Sequence, residues 1–204
     1  MLFIRSLLSV FLLLTINTGV TTDWKLRREE SGVKIYTRNV AGSPFEEFRG
    51  VVTISNTSLT KVLDVITDVK NYPVNFPNCS GAEVLEQKGK YNDIHYITIP
   101  TPWPVTDRDA IYEATTTISE NGTHAWIKLT PRGDYKQEHK GFIRVYNGSG
   151  FWDLDEVTPG TIQVVYQFHA DPAGEIPAWL ANSVIVSNPL RTLESLRNIA
   201  MKPS

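Results

Sequence analysis

From residue 33 to residue 169 the chain is a succession of short runs in which apolar and polar residues alternate. After Pro177 that pattern gives way to one long run at helical spacing. Alternation with period two marks half-buried strands, whereas recurrence at three and four residues marks the apolar stripe of a helix. The strand-like runs fall at 33–40, 45–54, 82–87, 93–99, 110–119, 123–130, 141–145, 150–157 and 161–169. Short turns separate several of them, such as Gly42-Ser43-Pro44, Glu120-Asn121-Gly122 and Thr158-Pro159-Gly160, and short turns join antiparallel neighbours. A sheet of this kind has an apolar face to bury, and the final segment supplies the cover through Trp179, Leu180, Val184, Leu190, Leu193, Leu196, Ile199 and Ala200. Pro177 suits the first turn of that helix, and Asn188-Pro189 should kink or restart it. A shorter helix is expected over 58–71, capped by Ser58, with Leu59, Val62, Leu63 and Ile66 on one face and Tyr72-Pro73 as its end. The fold class is therefore α+β, a curved antiparallel sheet with a long C-terminal α-helix.

The 204 residues suit one domain. Residues 1–22 read as a signal peptide: Arg5, an apolar run from Leu7 to Ile16, then small and polar residues before Asp23. The run is too short to span a bilayer comfortably. These features assign residues 23–204 to the mature, extracytoplasmic (periplasmic or secreted) domain. Losing residues 1–22 removes Arg5 and no acid, which shifts the formal charge from -2 to -3. Lys and Arg are scattered among acids with no basic stripe, which argues against a nucleic-acid partner. The single cysteine, Cys79, allows no internal disulfide and reads as a small buried hydrophobe. His95, His124, His139 and His169 lack metal-ligand spacing, and no phosphate loop, nucleophile elbow or Cys–His signature is present. No cofactor, metal or catalytic residue is expected, and the protein is expected to be a monomer. Asp153, Asp155 and Glu156 read as a solvated acidic face.

Two stretches are more specific. Pro102-Trp103-Pro104-Val105-Thr106-Asp107-Arg108-Asp109-Ala110-Ile111-Tyr112 resembles the segment that enters a central strand in START (StAR-related lipid-transfer) domains. Gly150-Phe151-Trp152, the strand over 161–168, the turn Asp171-Pro172-Ala173-Gly174 and the helix start Pro177-Ala178-Trp179-Leu180-Ala181-Asn182 are similar to that family's closing elements. The resemblance also takes in residues 72–85 and spans about 24–201. It implies a helix-grip fold with a hydrophobic tunnel between sheet and last helix, and a lipid or other hydrophobic small molecule as partner. With no strongly basic surface segment, any transient membrane contact would rely on exposed apolar loop residues rather than on charge. Two departures stand out. Residues 23–32 leave room for only a short N-terminal region, and Ala114 stands near the place where some sterol-carrying members bury a second arginine.

The resemblance places Arg108 against a polar head group, for which a guanidinium fork is suited. The residues alone equally allow an ion pair with Asp109 or another acid. Trp103, Tyr112, Trp126, Trp152, Tyr166 and Phe168 are candidate lipid-contacting aromatics. In the last strand Val164, Tyr166 and Phe168 share one face and Val165, Gln167 and His169 the other. Trp179 and Asn182 open the lid-like helix, for which Gly174 and Pro189 are flexing points. The expected function is non-catalytic lipid binding or transfer. The alternative is a helix-grip enzyme, an aromatic cyclase, dehydratase or hydrolase, for which His95, Arg108 and Tyr112 are the loose candidates.

Overall fold

The structure, a computed structural model, describes residues 23–202; the expected leader at 1–22 lies outside the described residues. Alternation predicts the strands closely. The expected hairpin forms as β2 (Val33–Arg38) and β3 (Glu47–Ser55), and β4 (Gly81–Gln87), β5 (Asp93–Ile99), β6 (Arg108–Ile118) and β7 (His124–Pro131) follow in the expected places. β9 (Asn147–Thr158) and β10 (Thr161–Asp171) are longer than the sequence pattern requires. One strand lies outside the expected set. β1 (Lys25–Glu30) pairs antiparallel with β2 through a turn at Ser31 and Gly32, both at positive φ, the backbone that tight hairpins demand. Its six residues are all exposed and five are charged, which blunts a sheet edge against further pairing and hides the strand from any search for alternation.

The strands form a single sheet in the order β1-β2-β3-β10-β9-β7-β6-β5-β4. β8 (Ile143–Val145), expected within the antiparallel series, pairs parallel with β6 off the main path. After β3 the chain crosses to the opposite edge by way of α1 (Leu59–Thr67), a 3-10 turn (Val69–Asn71) and α2 (Tyr72–Asn75). Ser58 caps α1 as expected, its Oγ accepting from the Lys61 N–H at 3.2 Å. Pro73 does not end helical structure at that point. It sits in the first turn of α2, where a missing N–H costs nothing.

α3 (Ala178–Ala200) lies against the concave face and runs through Pro189 as one helix. Leu190, Leu193, Leu196 and Ala200 bury themselves among Ile35, Val52, Leu63 and Ile66. The close approach depends on Gly50, where a Cβ would stand 2.5 Å from Leu193 Cδ1. The first half of α3 packs differently: its described residues are half-buried or exposed. The inward strand phase that meets it carries Phe48, Tyr112, Trp152, Tyr166 and Phe168.

Candidate functional site

Between the sheet and α3 lies an apolar cavity of two adjoining chambers, about 490 and 280 Å³. Phe48, Ile99, Tyr112, Phe168, Asn188 and Pro189 border both. The larger chamber extends to Arg108, Pro102, Ile176, Asn182 and Ile185; the smaller extends to Tyr72, Phe76, His95, Trp152 and Tyr166. Strand alternation explains the lining. His95, Ile97 and Ile99 share a face of β5, Arg108 and Tyr112 a face of β6, and Tyr166 and Phe168 a face of β10. Edge-to-face and stacked contacts hold the aromatic wall: Tyr112 against Phe168 with centroids 5.5 Å apart, Phe48 against Tyr166 at 5.0 Å, and Trp152 stacked on Tyr166 at 3.8 Å.

Six of the nine sequence-predicted site residues line this cavity: Arg108, Tyr112, Trp152, Tyr166, Phe168 and Asn182. Three lie outside it. Trp103 stands 93% exposed in the loop between β5 and β6, and Trp179 is 74% exposed in the first turn of α3, on the side of the helix away from the lining residues Ala181 and Ile185. Trp126 faces the convex side of the sheet, stacked on Phe151 at 4.0 Å. Its neighbours explain the placement: Ala125 and Ile127 are fully buried, so Trp126 shares the outward phase with Lys128. The acidic group at Asp153 and Asp155 also lies outward, where Asp153 meets His124 Nε2 at 2.7 Å.

Arg108 does not form the ion pair its sequence allows. It is only 3% exposed, and its neighbour Asp109 does not pair with it. Asp109 instead takes a bidentate bond from Arg144, at 2.9 Å to each oxygen, and Arg144 spends its other N–H groups on the carbonyls of Gly133, Lys136 and Gln137. Arg108 donates to backbone carbonyls: Nε to Pro172 at 3.2 Å, Nη2 to Ala173 at 3.1 Å and Nη1 to Thr106. Among the described residues no carboxylate lies within ion-pair distance of it. Burial pulls its pKa below the ordinary arginine value, because a desolvated cation is disfavoured. Five donors are available to a guanidinium, so two remain beyond these three bonds on a side chain that borders the larger chamber.

The sequence carried little sign of a second polar feature. Asp93 and His95 lie on the inward face of β5, each side chain 4% exposed, with Asp93 Oδ1 2.5 Å from His95 Nδ1. The His95 ring sits between Tyr72 and Tyr112, with centroids 5.9 and 6.3 Å away. Burial raises the pKa of the phenols of Tyr72, Tyr112 and Tyr166, so all three stay protonated across the ordinary pH range. Cys79 is only partly buried and borders the same chamber. Its Sγ donates to the Gly81 carbonyl at 3.1 Å, and burial pushes the thiol up, away from nucleophilic character.

Residues 55–197 match the family model described as polyketide cyclase / dehydrase and lipid transport. An uncharacterized protein of Pseudomonas aeruginosa is 38% identical over 185 residues, 90% of each chain. The crystal structure of a STAR-related lipid transfer protein from Xanthomonas axonopodis superposes with a TM-score of 0.80 at 34% identity, covering 88% of this chain and 99% of that one. Human phosphatidylcholine transfer protein is 24% identical over 163 residues, 78% of this chain and 75% of its own.

Proposed function

The chain belongs to the polyketide cyclase/dehydrase and lipid-transport family as a START-type domain, and from that premise we propose that it is a non-catalytic lipid carrier of the extracytoplasmic space. One observation carries the reading. A buried guanidinium with no carboxylate partner among the described residues borders an apolar cavity. A cation kept dry in this way suits an anionic head group that completes its hydrogen bonds, while the aromatic wall suits the chain. Each buried methylene contributes roughly 0.8 kcal/mol, so cargo is held without chemistry. The leader expected at residues 1–22 supports the compartment. Arg108→Met tests the head-group role. Lipid affinity, measured by titration of the mature protein, should fall by about 1.5–3 kcal/mol, on the order of ten- to hundredfold, with the fold retained. Undiminished affinity would contradict it.

Loading requires a route from a membrane. The exposed Trp103 and Trp179 both belong to segments that border the larger chamber, and indoles favour the bilayer interface. We assign them to transient membrane contact through apolar insertion rather than charge. Flotation with neutral vesicles should drop on replacing both by Ser and should change little with salt; loss in salt alone would count against this assignment.

The catalytic alternative is favoured by the Asp93–His95 pair beside Tyr112, since an oriented imidazole next to a hydrophobic ligand is the arrangement of a general base. An altered mass of the ligand after incubation with the protein would mark this reading as the correct one.

A further inference from the structure

Three residues that line the smaller chamber carry a polar atom without a partner among the described residues. Among the described residues His95 Nε2 and the hydroxyls of Tyr112 and Tyr166 make no hydrogen bond to protein, whereas the third phenol of the chamber, Tyr72, donates to the Ile66 carbonyl at 2.6 Å. Yet no buried side-chain nitrogen or oxygen among the described residues is left both sealed and unpaired. These three atoms are therefore reached by open space; all three residues line the smaller chamber, and Tyr112, whose hydroxyl lies beside Gly148 of β9, borders the larger one as well. Leaving polar groups in a mainly apolar chamber is costly unless something meets them.

The chemistry of what meets them follows from the pair. Asp93 Oδ1 lies 2.5 Å from His95 Nδ1, so the carboxylate occupies that nitrogen and leaves Nε2 as the ring's free hydrogen-bonding atom. A hydroxyl can meet Nε2 in either role, since it both donates and accepts. The phenols of Tyr112 and Tyr166 need an acceptor for their protons. The same hydroxyl oxygen supplies it. The placement relative to Arg108 is set by the sheet. Arg108 and Tyr112 are four residues apart on one face of β6, about 13 Å at roughly 3.3 Å per residue, and His95 stands directly opposite Tyr112 on β5.

We propose that the smaller chamber is a hydroxyl-binding subsite and that the cargo is an amphiphile with two polar points, an anionic group at Arg108 and a hydroxyl at His95. This rests on the lipid-carrier reading and narrows it to hydroxylated lipids. Asp93 acts through His95 as a positioning residue; His95 Nε2 bonds the hydroxyl, and Tyr112 or Tyr166 donates to its oxygen.

The test is a chain-length series of terminally hydroxylated fatty acids, each compared with its unsubstituted counterpart, titrated into the mature protein. One length or a few should show the hydroxylated acid binding at least about tenfold tighter, the scale of one satisfied buried hydrogen bond. The variant Asp93→Leu/His95→Leu replaces the whole pair, which avoids stranding a buried charge, and its thermal transition reports that it folds. In it the preference for the hydroxylated acid should vanish. Equal binding of both acids at every length overturns the subsite, as does a preference that survives in the double variant. If no acid of the series binds while lipid still co-purifies, the subsite falls and the carrier reading stands; if no lipid co-purifies either, both fall.

Discussion

The two halves of α3 divide at Pro189 and do different work. After the proline, Leu190, Leu193, Leu196 and Ala200 are sunk in the core, and polar contacts fasten the outer side: Ser195 Oγ to the Asn75 carbonyl at 2.5 Å, and Thr57 Oγ1 to the Ala200 carbonyl at 3.0 Å. Before it, Val184 and Ile185 border the larger chamber and are only half-buried. The side chain of Asn182 ties that half to the β2–β3 connection, its Oδ1 accepting from the Glu46 N–H at 3.1 Å. Pro189 has no N–H to give to the preceding turn, so the two halves are coupled less firmly than an unbroken helix would couple them. One element thus serves as anchor and as cover, and we infer that the cover is the part that moves when lipid enters.

The sharpest way to break this contrast is to truncate one apolar residue on each side. Leu193→Ala empties a fully buried site and should cost about 2–5 kcal/mol in chemical denaturation. Ile185→Ala, at a half-buried wall with open space beside it, should cost less than about 1 kcal/mol. Equal losses would mean that the helix is a single packed unit. A smaller effect is expected at Asn182. Removing its side chain loosens the cover by about 0.5–1.5 kcal/mol, the net worth of an ordinary hydrogen bond. In stopped-flow exchange, Asn182→Ala should release lipid severalfold faster with its unfolding midpoint nearly unchanged; an unaltered release rate would show that the first half of α3 is not the gate.

Much of this was legible in the sequence because the governing signal is periodicity. Alternation located the strands of the curved sheet, and helical spacing located α3, though not its continuity through Pro189. The inward phase of β10, with Tyr166 and Phe168, could be read directly. Other parts were illegible for physical reasons. β1 is a charged edge strand and shows no alternation. Both faces of β5 are covered, with Ile94 and His95 both buried, so no phase distinguishes the cavity side, and the Asp93–His95 pair stayed hidden. Asp109 finds its partner 35 residues away in Arg144, a pairing that local reading cannot supply, and so Arg108 was left with an apparent partner next door. Trp126 was misplaced by residue type alone: an aromatic ring suggests a lipid wall, but its phase with Lys128 points it outward.

The most direct test of a lipid-filled cavity is native mass spectrometry of the mature protein, purified from its host without detergent. A discrete added mass that extracts into organic solvent as a lipid, and is diminished in Arg108→Met, is the expected result. Protein that remains at its bare mass after purification, and again after incubation with lipid extracts, would contradict the carrier function.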